Sequence, residues 1–167
     1  MYYENSAQQM TKTLLNLKGI LNKADAFAKT KNIQPEILLQ SRLACDQFPL
    51  MRQIQIACDN AKIGVSRLTG KTAPTHDDKE TTLVQILERI EGTVVYLNTI
   101  KASDFAEAAA KKISLPWWNG KSMNGHDYLV HYLIPNFYFH VNTAYAILRH
   151  NGVGIGKNDY LGELPLN

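Results

Sequence analysis

The chain has 167 residues, 45% of them hydrophobic and 20% charged, with a formal net charge of +3. That length suits one domain over residues 1–167 with a sizeable core, and the scattered cations exclude a basic, aromatic-interleaved platform for nucleic acid. The polar opening MYYENSAQQMTKT and the lack of a long apolar run predict no secretion signal and no membrane span, so a cytoplasmic protein with free thiols at Cys45 and Cys58 is expected.

Apolar residues recur in steps of three and four along most of the chain, the period of a helix with one buried face. Met10, Leu14, Leu17, Leu21, Ala24 and Ala28 predict a first helix from about Asn5 to Lys31. Pro35 opens a short helix, PEILLQSRL. Pro49 suits the first turn of a second long helix with Leu50, Ile54, Ala57, Ala61, Gly64 and Leu68 inward, and Gly70 ends it. Ala57, Ala61 and Gly64 leave room for a close neighbour. TGKTAPTHDDKE reads as a polar connection with a solvated His76, and a third helix from Lys79 to Ile100 carries Leu83, Leu87, Ile90, Val94 and Leu97 inward, its charges facing solvent.

Between Lys101 and Gly125 the pattern lapses. Ile113, Leu115 and Trp117 alternate ahead of Asn119-Gly120, which predicts a small hairpin with Pro116 on an edge strand. Trp117 and Trp118 either cap a mouth of the bundle or cover its end, the second being preferred. The last helix is read from His126 to His150 with a kink at Pro135, which would free the His131 carbonyl; Gly152 supplies the left-handed stop. Phe137, Val141, Ala144 and Leu148 form its inner stripe, and His140 lies beside it. VGIGKNDYLGELPLN is expected to be an extended tail held by Tyr160 and Leu161. The expected fold is all-α: an antiparallel four-helix bundle with a short extra helix and a small hairpin between helices 3 and 4.

Three segments carry a resemblance: Phe48–Lys62 (FPLMRQIQIACDNAK), Pro135–His140 (PNFYFH) and Ala144–Gly152 (AYAILRHNG). They resemble the DinB/YfiT-like superfamily, in a branch designated as a domain of unknown function. The resemblance implies a DinB-like bundle, a homodimer, and a divalent metal (Zn or Ni) held by one His of the second helix and an HxxxH pair of the fourth. His140 matches the second His of that pair, but Asn136 stands four residues earlier, and Gln53 is the inward polar residue of the second helix. Amides are poor ligands for such ions. A metal, if present, would sit on His140 with Asn136 and Gln53; none is expected.

The remaining reading is a polar or small-ligand pocket formed by His140, Gln53, Asn136 and Asn60. These groups either satisfy one another and set helix register, or line a site. Asp59 and Gln55 face outward on the helical wheel, and His126 and His131, near the kink, are read as surface or rim residues instead of ligands. Two functions follow. One is a non-catalytic dimeric bundle joined through Tyr128, Tyr132, Tyr138 and Phe139. The other, implied by the resemblance, is a metal- or thiol-dependent transferase or hydrolase, with His140 as a base titrating near neutrality and Cys58 as a weak nucleophile candidate.

Overall fold

The computed structural model describes residues 1–166 and is mostly helical. A π-helical turn, Glu4–Gln8, leads into α1 (Gln9–Thr30). Then come α2 (Glu36–Gln40), α3 (Leu50–Thr69) and α4 (Leu83–Asn98). The strands β1 (Lys112–Ile113) and β2 (Met123–Asn124) precede α5 (Gly125–Asp127), α6 (Ile134–His150) and α7 (Lys157–Leu161). α3 packs against α6 and α4, and α1 against the same two helices, around one contiguous apolar cluster. Every inward residue predicted for α1 and α3 is buried. The small edge of α3 is needed as expected, because a Cβ on Gly64 would run into the Leu133 side chain. Among the described residues no helix is long and apolar enough to cross a membrane.

Helix ends follow local chemistry. Gly70 at φ 85° and Gly152 at φ 91° take the left-handed conformation that closes α3 and α6. α4 begins at Leu83 instead of Lys79, because Thr82 and Gln85 form a capping box: Gln85 N–H donates to Thr82 Oγ1 (3.3 Å), and Thr82 N–H to Gln85 Oε1 (3.2 Å). Residues 70–82 are consequently a strap without regular structure, running between α3 and α4.

Three other expectations need correction. The hairpin pairs only Ile113 with Met123 and Lys112 with Asn124. Pro116 opens a 3-10 turn, Pro116–Trp118, and Asn119 and Gly120 take positive φ in the longer loop that follows. Pro135 makes no simple kink: Tyr128–Leu133 widens into π-helical turns just ahead of the proline, a device that accommodates a residue with no N–H to donate. The tail folds its residues 157–161 into α7 against α1, with Asn16 Nδ2 donating to the Tyr160 carbonyl (3.0 Å). Tyr160 meets Tyr145 edge-on, whereas Leu161 is exposed; Asn167 lies outside the described residues.

Candidate functional site

The inner face of α3 meets α6 through two polar pairs. His140 Nδ1 lies 2.7 Å from Gln53 Oε1, with both side chains buried. Gln53 Nε2 donates to the Phe48 carbonyl at 3.0 Å, which turns Oε1 toward the ring. Nδ1 therefore carries the imidazole proton, and Nε2 holds the lone pair. Seven residues further along α3, Asn60 Oδ1 accepts from Asn136 Nδ2 at 3.2 Å. Among the described residues no hydrogen bond joins the two pairs, so the four predicted residues form two separate contacts instead of one pocket. Asn60 Nδ2 is buried without a partner.

Burial pushes the His140 imidazole down to about 4, and the positive charge of Arg52 adds to the shift. It is neutral at pH 7, which corrects the expectation of a base titrating near neutrality. Burial likewise drives the Cys58 thiol up to about 12, so Cys58 is no nucleophile at neutral pH. The free thiols expected at Cys45 and Cys58 are present, one exposed and one buried.

The aromatic residues of the last helix are largely engaged inside the protein. Tyr128 is buried and stacks on Tyr132 (5.5 Å between ring centroids), and Trp118 packs edge-on against Tyr132 (5.2 Å). Trp118 thus covers the end of the core while Trp117 stays exposed. Tyr138 rests on Phe137, and Phe139 alone of the four is open, at 57% exposure. His131 and His126 are exposed, His126 lying 3.4 Å from the Tyr2 hydroxyl.

The other side of α3 holds a polar centre that the helical wheel misses. Arg89, on α4, is 3% exposed and bonds three carboxylates: Asp59 (2.8 Å), Asp78 (2.7 Å) and Glu80 (2.8 Å). The buried Lys62 ammonium binds Asp59 (3.2 Å) and donates to the Pro74 carbonyl (2.8 Å), pinning the strap's backbone. Gln55 is buried and donates to Glu80 (2.9 Å); Arg52 reaches Asp78 (2.6 Å) and Gln55 (3.1 Å). Burial alone would raise the Asp78 and Glu80 pKa values, but hydrogen bonds from Arg52 and Arg89 to Asp78, and from Arg89, backbone and Gln55 to Glu80, bring both below the ordinary range. Burial, then the Lys62 and Arg89 charges, lowers His76, which is half-buried instead of solvated. The outward placing of Gln55 and Asp59 was right as a direction and wrong as an environment, because the strap covers that face. A signal was present: Arg52, Gln55, Asp59 and Lys62 step by three, four and three along α3, opposite an acidic connection.

Residues 2–161 match the family model described as Domain of unknown function (DUF1993). The chain belongs to this family. A DinB family member protein from Shewanella denitrificans, solved as a crystal structure, shares 52% identity with it and superimposes at TM-score 0.96, over 99% of this chain and 94% of that one. The DUF1993 chain is therefore DinB-like, as its motifs indicate. No curated protein matches it. Its segment Phe48–Lys62 supplies both polar centres, Gln53 and Asn60 toward α6, and Arg52, Gln55, Asp59 and Lys62 toward α4 and the strap.

Proposed function

We propose that this DinB-like chain is a non-catalytic antiparallel four-helix bundle, one domain throughout, whose inner ion site is replaced by a neutral amide–imidazole seam. The observation that carries the reading is the 2.7 Å contact between Gln53 Oε1 and His140 Nδ1. An imidazole that donates through one nitrogen and keeps a lone pair on the other has the form of a metal ligand. The rest of the donor set does not fit a divalent ion. Gln53 uses both ends of its amide on Phe48 and His140, and Asn136 is committed to Asn60. Among the described residues no three His, Cys, Asp or Glu side chains come together as a metal set. Neutral amides would also leave the charge of such an ion uncompensated.

The seam sets the register of α3 against α6 and leaves His140 Nε2 as an acceptor for a small uncharged donor. The chain works as a homodimer, with exposed Phe139, whose ring meets that of His140 edge-on, in the contact. The test is metal analysis of protein purified without chelators, with His140→Ala in parallel. Substoichiometric metal in both is expected; near-stoichiometric metal that the substitution removes would overturn the reading. Sedimentation velocity checks the dimer, and a monomer at every concentration sinks that part.

A further inference from the structure

The loop joining β1 to β2, residues 114–122, borders a solvent-open cleft of about 440 Å³ lined by Trp117, Trp118, Asn119, Lys121, Ser122 and Met123. Its two indoles are held differently. Trp118 is half-buried, edge-on to Tyr132 (5.2 Å between centroids) and to Tyr128 (6.4 Å), whereas Trp117 is 61% exposed. The backbone that carries them is braced. Trp118 N–H donates to the Leu115 carbonyl (2.9 Å), Lys121 N–H to the Trp118 carbonyl (3.0 Å), and Ser114 Oγ to the Lys121 carbonyl (2.7 Å). Asn119 at φ 50° and Gly120 at φ 78° make the turn between. The Trp118 ring and the backbone under Trp117 and Lys121 are thus fixed before any ligand arrives, which lowers the ordering cost of binding.

Charge narrows the chemistry. From Ala108 to His126 the chain carries Lys111, Lys112 and Lys121 and no Asp or Glu. None of these ammonium groups forms an ion pair among the described residues. Asp127, the next carboxylate, accepts from Asn124 Nδ2 (2.8 Å). An indole face attracts cations, but a cationic ligand here meets uncompensated positive charge. A bilayer is a poor match as well, because Pro116 and Trp117 are the loop's only exposed apolar side chains. What fits is a flat ring to stack on Trp117, bearing a negative group for Lys121.

We propose that this cleft binds a small planar aromatic anion, its ring stacked on Trp117 and its phosphate or carboxylate paired with the Lys121 ammonium. Trp118 and Met123 supply the remaining apolar lining. The site uses no residue of the His140 seam and stands or falls independently of it.

Calorimetric titration with adenosine monophosphate, 2-naphthoate, adenosine and inorganic phosphate tests the proposal. Saturable one-to-one binding of at least one of the two aromatic anions is expected, with adenosine weaker and phosphate alone not saturable; the tighter anion tells phosphate from carboxylate. Trp117→Ala should weaken that binding by about tenfold, the worth of one ring stack. Because Trp117 is exposed, the substitution removes no core packing, and the emission of Trp118, then the sole indole, reports that its platform is intact. Lys121→Gln should weaken the anion by about threefold, within the range of an exposed ion pair, and leave adenosine unchanged. His140→Ala should change nothing. No saturable binding of either anion, binding indifferent to Trp117→Ala, adenosine bound as tightly as its monophosphate, or Trp117-dependent retention on phosphatidylglycerol vesicles in place of small-molecule binding would overturn it.

Discussion

The two sides of α3 handle buried polarity by opposite means. Toward α6 the groups are neutral, paired one to one, and drawn from two rigid helices. Toward α4 they are charged, centred on Arg89, and completed by a strap with no regular structure. A neutral pair needs only shape and one good hydrogen bond, so two packed helices can supply it, and it adds to the register that their apolar stripes favour. A buried guanidinium needs several acceptors to offset its lost hydration, and two helices alone offer Asp59; Asp78 and Glu80 have to come from the connection. The strap is thus held by electrostatics where the seam is held by packing.

The sharpest way to break that comparison is to remove the guanidinium. Arg89→Leu leaves Asp59, Asp78 and Glu80 facing one another, and the loss should approach the roughly 3–5 kcal/mol typical of an orphaned buried charge, reduced somewhat because these carboxylates are partly hydrated. Urea denaturation measures it, and proteolysis within residues 70–82 should accelerate. A loss under about 1 kcal/mol would mean that the strap is held by something else.

The His140 seam should respond less to truncation and more to pH. His140→Phe leaves Gln53 Oε1 buried without its donor, for about 1–3 kcal/mol at pH 7. The imidazole titrates at about 4 in the folded protein against an ordinary 6.5. With the folded value depressed, its contribution is fully present above pH 6.5 and is lost as pH falls toward 4, amounting to as much as about 3 kcal/mol. Wild-type stability should therefore slope downward through that window. In His140→Phe the slope should flatten, leaving the fall below the ordinary carboxylate range that comes from Asp78 and Glu80, whose depressed values make their contribution vanish last. Equal slopes in the two proteins would place the imidazole in solvent.

What could be read from the residues divides along the same line. The stripes of α1, α3 and α6, the left-handed glycines and the inward Gln53 and His140 all follow from helical period, because period reports which direction a side chain takes relative to the core. Arg89 and Gln55 point away from that axis by the same rule, yet both are buried, since an irregular strap has no period and its path over α3 and α4 is invisible to a helical wheel. The start of α4 failed for a related reason: Lys79 and Glu80 continue an acceptable helical pattern, but the capping box at Thr82 and Gln85 decides the boundary. The Asn60–Asn136 pair needed the pairing of α3 with α6, which no single helix contains.

Gly64→Ala tests the packing that the seam depends on. The added methyl meets Leu133 on a flexible side chain, so a loss of about 1–3 kcal/mol is expected, with the Arg89 centre undisturbed. An unchanged denaturation midpoint would show that α3 and α6 have slack at this level, and the neutral pairs would then have to set the register alone.

The smallest effect is the one that links the two regions. Arg52 bonds Asp78 and Gln55 on the strap side, and its charge also depresses the His140 imidazole across the helix. Being more than a third exposed, its ion pair should contribute under about 1 kcal/mol, and Arg52→Gln will barely move the melting temperature. Its informative readout is the imidazole resonance followed by NMR titration. Removing a positive charge eases protonation of His140, so the midpoint should move upward from about 4 while burial keeps it below the ordinary 6.5. A midpoint that stays put would mean that the two sides of α3 are electrostatically independent and that burial alone sets the His140 value.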